Sequence, residues 1–327
     1  MFETLPERFS VCRPRMDDAQ RITEMRIACD LVDRGEVASD AAALRTYWQH
    51  PGFNLESDAW LITTPDDRFV CYGSIRHDVP THIIVFHWVH PDFRDRGLGT
   101  YLLRVAEARA RACIAQAPVD ARVSLDAFIS ERNSAGKRCL EEEGFVVIRH
   151  SWQMKLEMNE PPEPAQWPEG MTVRSFVPQQ DEQATYETEE EAFQDHWGHI
   201  PMTFEQWTQA ITQQEDFDPS LTFLVTAGEE IAALTICEYW LGKGLVGTLG
   251  VRRNWRRGGV GMALLRHAFG AFYTRGIHTI TLNVDAQSLT GATRLYERAG
   301  MHIALLDHQY QKELRAGREL STQTIGD

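Results

Sequence analysis

Two short stretches of the sequence share one spacing of arginine and glycine. "RDRGLG" occupies positions 94–99 and "RRGGVG" positions 256–261, so Arg-x-x-Gly-x-Gly occurs twice at a separation of 162 residues. Each copy lies between an apolar run and a helical pattern. The first amides of a helix lack intrahelical acceptors, and the helix dipole adds partial positive charge beside them. The pattern therefore predicts two anion sites suited to a diphosphate.

One such short pattern is weak evidence, because turn glycines produce it by chance. Two copies at matching points of two halves favour a shared function. Neither copy continues as Gly-Lys-Ser/Thr, which argues against a P-loop. Neither contains Gly-x-Gly-x-x-Gly followed by an acidic residue on a parallel strand, which argues against a Rossmann dinucleotide site.

The length of 327 residues predicts two domains. "MNEPPEPAQWPEG" contains four prolines and reads as a linker near the middle of the chain. We therefore expect an amino-terminal domain at 1–157, a linker at 158–170, a carboxy-terminal domain at 171–315 and a frayed polar tail at 316–327.

The halves also repeat one order of elements. Short strands at "FSVCRP" and "MTVRSF" open them, and Val11 and Val173 each precede their motif arginine by 83 residues. Helical patterns and alternating or apolar strands follow, then the glycine turn, a helix, a strand, a short helix and a last strand. The predicted fold class is α+β, with a mixed, mostly antiparallel sheet flanked by helices in each half.

Composition narrows the function. The net charge of −14 argues against nucleic-acid binding and suits a cationic substrate, although excess acid also simply maintains solubility. The six cysteines are scattered singly, which favours a reducing cytoplasm and no structural metal. The start of the chain has no secretory pattern and no apolar run spans a bilayer, so we expect neither secretion nor membrane insertion. Nothing in the sequence fixes the oligomeric state.

A second pair of stretches makes a family resemblance specific. "NSAGKRCLEEEGF" and "SLTGATRLYERAGM" follow the strand after each glycine turn. In this order the chain resembles the GNAT superfamily of acyl-CoA-dependent N-acetyltransferases over nearly its whole length. Its tandem arrangement is similar to that of the mycothiol synthases. The resemblance implies two GNAT-like domains that use acetyl-CoA as co-substrate, with its pyrophosphate on the motif amides and its pantetheine arm along the preceding strand.

The resemblance also implies which residues contact the coenzyme. In the carboxy-terminal half we expect Val251, Arg256, Arg257, Gly258, Gly259, Gly261 and Met262. In the amino-terminal half we expect Val89, Arg94, Arg96, Gly97, Gly99, Thr100 and Asn133.

The family's later motif, Asn-x-x-Ala/Gly-x-x-x-Tyr, is incomplete in both halves. The first half keeps Asn133 and Gly136 but has Leu140 at the tyrosine position; the second keeps Ala292 and Tyr296 but has Leu289 at the asparagine position. A phenol with a pKa of about 10 can protonate a departing thiolate. We predict that Tyr296 is the general acid, the alternative being a tyrosine that only packs. The first half, where Cys139 precedes Leu140, then binds coenzyme A with little or no catalysis.

The general base stays open at this point. Glu238 and Asp285 are on strands that line the acceptor cleft in the family, and "EAFQDHWGHIP" supplies Asp195, His196, Trp197 and His199 where the family binds the acceptor. Each of these has the alternative of a merely polar or capping residue. His196, Trp197 and Trp240 are the predicted acceptor contacts. Asp126 and His87 hold comparable strand positions in the first half.

The leading interpretation is an N-acetyltransferase. It moves an acetyl group from acetyl-CoA to a primary amine, in a ternary complex without a covalent intermediate, because no cysteine is paired with a motif histidine. A small-molecule amine is the expected partner. Two alternatives stay open: a non-catalytic acyl-CoA sensor, and an enzyme that acetylates protein N-termini or lysines.

Overall fold

The chain forms two compact units. A computed structural model describes residues 5–6, 8–214, 217–288 and 291–323. Unit 1 comprises Met1–His150 and Leu305–Leu320, and unit 2 comprises Ser151–Ala304 and Ser321–Asp327. The predicted position Leu289 lies outside the described residues.

The elements of the first half follow the predicted order. They are β1 (Ser10–Cys12), α1 (Ala19–Asp33), α2 (Ala41–Gln49), α3 (Leu55–Asp58), β2 (Ala59–Thr63), β3 (Phe69–Arg76), β4 (His82–Val89), α4 (Leu98–Cys113), β5 (Val123–Ser130) and α5 (Ser134–Glu142). A single 3-10 turn, Pro91–Phe93, joins β4 to the glycine turn.

From β7 (Met171–Ser175) onward the second half repeats this order, except that two α-helices and not three precede the next strand in the described residues. Its elements are β6 (Val146–Glu157), β7 (Met171–Ser175), α6 (Glu182–Phe193), α7 (Phe204–Ala210), β8 (Thr222–Ala227), β9 (Glu230–Trp240), β10 (Lys243–Val251), α8 (Val260–Thr274), β11 (Thr279–Asp285), α9 (Ala292–Arg298) and β12 (His302–Arg315). A 3-10 turn, Arg253–Trp255, again precedes the glycine turn.

The sheet of unit 1 has the strand order β1-β2-β3-β4-β5-β12. Its neighbours are antiparallel except for the parallel pair β4 and β5. Among the described residues, the parallel pairs run from His82 with Ser124 to Val85 with Ala127. Both strands continue beyond these pairs, so they diverge toward the glycine turn.

The sheet of unit 2 has the order β7-β8-β9-β10-β11-β6 and one parallel pair, β10 and β11. Here the parallel pairs found in the described residues are Gly244 with Ile280 and Leu245 with Thr281. Beyond them the strands diverge as in unit 1. The observed fold class is the predicted one: α+β, with a mixed, mostly antiparallel sheet flanked by helices in each unit.

The last strand of each unit differs from the sequence prediction. The carboxy-terminal strand β12 completes unit 1, where Asp307 pairs with Ser130 and Arg315 with Val123. Residues 151–157 of β6 complete unit 2, where Ser151 pairs with Asp285. The predicted boundaries give each half its own last strand. Without a last strand, β5 and β11 would have unpaired edges. A last strand from the same half and one from the other half would both pair these edges, and local sequence does not distinguish the two arrangements.

The predicted linker and tail also pack. The N–H of Met158 donates to the carbonyl of His278 at 2.8 Å, and Trp167 contacts the core of unit 2. In the tail, the N–H of Arg318 donates to Asp120 at 2.7 Å. The described part of the tail is therefore not frayed. Before position 324 its backbone forms hydrogen bonds to residues of each unit.

Each core lies between its sheet and the helix that follows the glycine turn. In α4, Leu98, Leu102 and Leu103 are buried, and in α8 the corresponding buried residues are Val260, Leu264 and Leu265. Their helical spacing places one apolar face of each helix on the sheet. This packing fixes the amino termini of α4 and α8 at the ends of β4 and β10.

Candidate active site

The glycine turn of unit 2 is anchored by its arginine. Arg256 donates from Nε to the carbonyl of Val251 at 3.0 Å and from Nη1 to the carboxylate of Asp195 at 2.7 Å. Arg253 pairs with the same carboxylate. Hydrogen bonds from Arg253, and then from Arg256, lower the pKa of Asp195 to about 2. Asp195 is therefore a counter-ion that holds the turn, which removes it from the candidate proton acceptors.

The turn of unit 1 is built the same way. Arg94 donates from Nε to the carbonyl of Val89 at 3.3 Å and from Nη1 and Nη2 to the carboxylate of Asp33 at 2.8 and 2.6 Å. Asp33 precedes Arg94 by 61 residues, and Asp195 precedes Arg256 by the same 61. Both motif arginines therefore position their turn through these bonds. Their contact with the coenzyme stays a prediction.

The glycines of the turns serve two purposes. Gly97 and Gly259 cap α4 and α8 with φ of 76° and 89°, a left-handed conformation that side chains rarely adopt. A Cβ on Gly99 would lie 3.2 Å from Cys139 Sγ, and one on Gly261 would lie 3.4 Å from Leu295 Cδ2. The first glycine of each pair therefore shapes the turn, and the second lets the helix approach its neighbours.

No side chain caps either helix among the residues that the structure describes. The first amides of α4 and α8 therefore face outward as donors. Asp95 and Arg257, one residue after each arginine, also have positive φ. Such alternation turns successive amides toward one point, which is an anion-binding arrangement.

The other predicted coenzyme contacts flank these turns. Arg96 donates to the carbonyl of Asp92 at 2.8 Å, and Thr100 Oγ1 lies 3.5 Å from Cys139 Sγ. Gly258 is exposed and Met262 half-buried at the start of α8. Asn133 caps α5 by accepting from the N–H of Gly136 at 2.9 Å and donates to Asp33 at 3.0 Å.

A cavity of about 150 Å³ lies in unit 2 where β10 and β11 diverge. It is lined by Phe193, His196, Trp197, Val246, Gly247, Leu249, Asn283, Val284, Asp285, Ser288, Ala292 and Tyr296. The end of α6, both diverging strands and α9 thus contribute to one space. The predicted residues Tyr296, Asp285, His196 and Trp197 meet here.

Trp240 does not line this cavity. It ends β9 and pairs with Lys243 across a two-residue turn in which Leu241 and Gly242 both have positive φ. The strand places Trp240 at the hairpin end, so its contact with the acceptor stays a prediction that this cavity does not support.

Tyr296 is 8% exposed and lines the cavity from α9. Its hydroxyl makes no hydrogen bond to another described residue. Burial raises the pKa of Tyr296 to about 12, above the value of about 10 assumed from sequence. The phenol therefore stays protonated at neutral pH, as a donor must.

The strand β10 bulges at the cavity. Val246 pairs with Cys237 and Thr248 with Ile236, so Gly247 is one extra residue. The Glu238 carboxylate lies beside it, with Oε1 3.5 Å from the position of a Cβ on Gly247. Glu238 is half-buried and lies next to Gly247, a residue of the cavity wall.

Two other titratable groups are in the wall itself. Asp285 accepts from the N–H of Gln287 at 2.9 Å and so supports the turn after β11. Burial, and then the charge of Arg256, lower the pKa of His196. A neutral imidazole at physiological pH can accept a hydrogen bond from an amine.

Unit 1 has a cavity of about 320 Å³ beside its glycine turn. Its lining includes Gly97, Gly99, Thr100, Asn133 and Cys139. His87 is also in the wall, where burial and the charge of Arg94 lower its pKa to about 4. Leu140, at the position that corresponds to Tyr296, is fully buried. The cavity therefore has no phenol at this point.

Comparisons with known proteins agree with this geometry. The model of the "Acetyltransferase (GNAT) family" matches residues 22–153 and again 182–301. The chain belongs to the GNAT acetyltransferase family. It is an acyl-CoA-dependent N-acetyltransferase with two tandem GNAT domains, as the sequence predicted.

Relatives extend over nearly the whole chain. A mycothiol acetyltransferase of Streptomyces scabiei is 30% identical over 92% of this chain and 94% of its own length. A GCN5-related N-acetyltransferase of Sphaerobacter thermophilus is 36% identical, with a TM-score of 0.86 over 98% of this chain and 100% of its own. A tandem GNAT protein from the clavulanic acid biosynthesis pathway shares the fold, with a TM-score of 0.71, 12% identity, and coverage of 95% and 100%.

Other predicted groups of this GNAT protein lie outside the cavities. Asp126 in unit 1 is 4% exposed and accepts from Gln311 at 2.8 Å, and burial raises its pKa. It is part of a buried polar network. Among the described residues no cluster of three or more His, Cys, Asp or Glu side chains could hold a metal, and no helix is long and apolar enough to cross a membrane.

Sequence reasoning missed two features of this GNAT site. The pairing of Asp33 and Asp195 with the arginines was readable as an acidic residue at an equal distance before each motif. The bulge also had a signal, since Gly247 interrupts the apolar strand "GLVGTLGV".

Proposed function

We propose that unit 2 transfers an acetyl group from acetyl-CoA to the primary amine of a small molecule. The observation that carries this proposal is the cavity of unit 2, which brings Tyr296, His196 and Trp197 around one space where β10 and β11 diverge. The outward amides after Gly259 support the coenzyme's diphosphate close to the same strand end.

The reaction needs a proton donor, a base and a group that orients the amine. The amine nitrogen attacks the thioester carbon, the carbon–sulfur bond breaks, and the products are an amide and the free thiol. Tyr296 donates its hydroxyl proton toward the departing sulfur. Its raised pKa keeps the hydroxyl protonated at neutral pH and makes it a weaker acid than a thiol, so its contribution is a hydrogen bond to the sulfur that strengthens as negative charge develops there.

Glu238 is the proposed base, and it takes the proton that the amine loses. The argument is geometric, because the Glu238 carboxylate lies beside Gly247, and Gly247 is one of the residues that line the cavity. Asp285 is the second candidate, and its contact with the N–H of Gln287 favours a structural role. His196 then orients the amine through its neutral ring.

The acceptor is proposed from charge and from the relatives. A net charge of −14 favours a cationic amine at long range. Several curated relatives carry the name mycothiol acetyltransferase, so the amine precursor of mycothiol is the first acceptor to test. We place the reaction in the cytoplasm, consistent with six free thiols.

Unit 1 is proposed to bind an acyl-CoA without turning it over. It keeps the glycine turn and a cavity of about 320 Å³, but Leu140 supplies no proton. This is the observation that favours the second candidate function, a sensor role for unit 1 alongside catalysis in unit 2.

A matched pair of variants tests the assignment. Gly259→Glu and Gly97→Glu each place a carboxylate in a turn at positive φ, so both carry similar backbone strain. Thiol release from acetyl-CoA with a panel of small amines is expected to fall below a hundredth in Gly259→Glu and to change less than about twofold in Gly97→Glu. Calorimetry is expected to show one acetyl-CoA site lost in each variant.

Equal losses of turnover in the two variants would overturn the assignment of catalysis to unit 2. Mass spectrometry of a cell lysate incubated with labelled acetyl-CoA provides the other arm. Label on metabolites supports the small-molecule acceptor, and label on protein N-termini or lysines would contradict it.

A further inference from the structure

The loop between α6 and α7 forms one wall of the unit 2 cavity. We call residues 194–199 the acceptor loop. It contributes His196 and Trp197 to the cavity, and Gly198 within it has a φ of 77°. A loop of this kind has several accessible backbone conformations, so something must select the one that forms the wall.

Residues 321–323, which we call the strap, lie along the acceptor loop. The N–H of Thr322 donates to the carbonyl of His199 at 2.9 Å, and the carbonyl of Thr322 accepts from the N–H of Gly198 at 2.7 Å. The Thr322 hydroxyl donates to the carbonyl of Gln194 at 3.1 Å. Thr322 thus bonds to both ends of the loop.

The strap also reaches a side chain of the cavity wall. The indole Nε1 of Trp197 donates to Gln323 Oε1 at 3.1 Å. Gln323 in turn donates from Nε2 to the hydroxyl of Ser321 at 2.8 Å, and Ser321 is 8% exposed. The tryptophan that faces the acceptor space is therefore oriented by a residue of the strap.

We propose that the strap is a positioning element for the amine acceptor. It holds His196 and Trp197 in the cavity wall, and acceptor affinity depends on it while acetyl-CoA binding and proton donation by Tyr296 do not. Arg256 anchors the coenzyme turn through bonds to Val251 and Ala192, which lie outside the acceptor loop, and to the side chain of Asp195, which none of the strap bonds described above reaches. This inference rests on the proposed function of unit 2 and adds the source of its acceptor affinity.

The expected size follows from the population of the formed wall. If the wall is formed in about a tenth of molecules without the strap, the apparent dissociation constant of the acceptor rises about tenfold. At saturating amine the wall is restored by binding, so kcat changes little. A split between KM and kcat therefore separates positioning from general stabilisation.

The experiment compares two shortened chains and two substitutions. A chain ending at Leu320 lacks the strap, and a chain ending at Gln323 keeps every bond described above. Gln323→Leu removes the acceptor for Trp197 Nε1, whereas Gln323→Glu keeps an oxygen there. With an amine that the full chain acetylates, we expect the KM for that amine to rise about tenfold in the chain ending at Leu320 and about threefold in Gln323→Leu. The chain ending at Gln323, and Gln323→Glu, should stay within about twofold of the full chain.

A second measurement does not need turnover. Hydrogen exchange at the amide of Gly198 should be faster in the chain ending at Leu320, with acetyl-CoA affinity unchanged. If the full chain acetylates no amine, the proposed function fails, while faster exchange at Gly198 still supports the strap. Unchanged exchange, an unchanged amine KM, or equal losses of kcat and acetyl-CoA affinity would overturn the inference.

Discussion

Unit 1 and unit 2 contain the same glycine turn, but their cavities lie in different places relative to it. In each, an arginine bonds the last carbonyl of the preceding strand and a carboxylate 61 residues earlier. The cavity of unit 1 is bounded by the turn and α5, whereas that of unit 2 lies at the end of α6. A common scaffold thus supports two differently placed spaces.

The ends of the first helices account for part of this difference. In unit 1, Ser130 donates to the carbonyl of Asp33 at 2.8 Å, and Asn133 donates to the Asp33 carboxylate at 3.0 Å. These bonds tie the end of α1 to the end of β5. In unit 2, the corresponding region contains the cavity with Phe193 and His196 on one side and Asp285 on the other.

The strands that precede the two glycine turns also differ in regularity. The β3–β4 ladder of unit 1 is regular from Cys71 with Val89 to Arg76 with Ile84. The β9–β10 ladder of unit 2 contains the bulge at Gly247, beside Glu238. Together with Leu140 in place of Tyr296, the bulge distinguishes the two units locally, while the turn and its ion pair are present in both.

We expect the largest effect from producing the two halves of the chain separately. Residues 1–157 and 158–327, produced alone, each lack the strand that completes a unit, because β12 pairs with β5 and residues 151–157 pair with β11. We expect neither half to unfold cooperatively alone, and the mixture of both to regain a sheet. Circular dichroism with thermal melts measures this. A cooperative transition in the isolated first half would show that the exchange of strands is dispensable.

The next largest effect concerns Tyr296. Tyr296→Phe removes the proton donor and is expected to lower kcat about a hundredfold, with little change in melting temperature. Leu140→Met, a change of similar volume at the corresponding position of unit 1, should leave kcat unaltered. Steady-state thiol release measures both. Full activity in Tyr296→Phe would return this tyrosine to a packing role.

The repeat made much of the architecture predictable. Equal spacing from Val11 and Val173 to the motif arginines located two similar modules, and the order of strands and helices followed from periodicity. The partners of β6 and β12 were not predictable, because both strands have the same kind of alternation and pairing is a long-range choice.

The site was predictable where chemistry fixes the residue type. Tyr296, His196 and Asp285 line one cavity as expected. The carboxylate partners of Arg94 and Arg256 were not predictable, because a motif match records that an arginine is present and not which carboxylate it meets. The place of Trp240 was not predictable either, because it depends on where the hairpin turns.

A smaller effect tests the shared ion pairs. Asp195→Asn leaves two arginines without their counter-ion and is expected to cost about 2 kcal/mol of unfolding free energy, since the carboxylate is buried but the arginines are partly exposed. The pKa of Asp195 in the folded protein, about 2, lies below its unfolded value, so its contribution is present above about pH 4 and is lost as the pH falls toward 2. Urea titrations between pH 2 and 7 should show that the free energy of unfolding falls less steeply with falling pH in Asp195→Asn than in the unaltered protein.

Asp33→Asn is the matched variant in unit 1. It should lower stability and acetyl-CoA binding at unit 1 while amine turnover in unit 2 stays within about twofold. A fall in turnover well beyond twofold would show that the two turns do not act independently.

The smallest expected effect is an absence of change with pH. The buried phenol of Tyr296 has a pKa of about 12, and the protonated form is the donor. At saturating amine, loss of the phenol proton should therefore lower kcat by only about a tenth between pH 8 and 11, whereas a tyrosine with the ordinary pKa of about 10 would have lost about nine tenths of its donors at the upper limit. Stopped-time assays of the amide product across this range decide between them. A decline in kcat with a midpoint near pH 10 that is absent in Tyr296→Phe would mean that water reaches the phenol. The cavity of unit 2 would then be exposed to solvent at α9, as the cavity of unit 1 is at its turn.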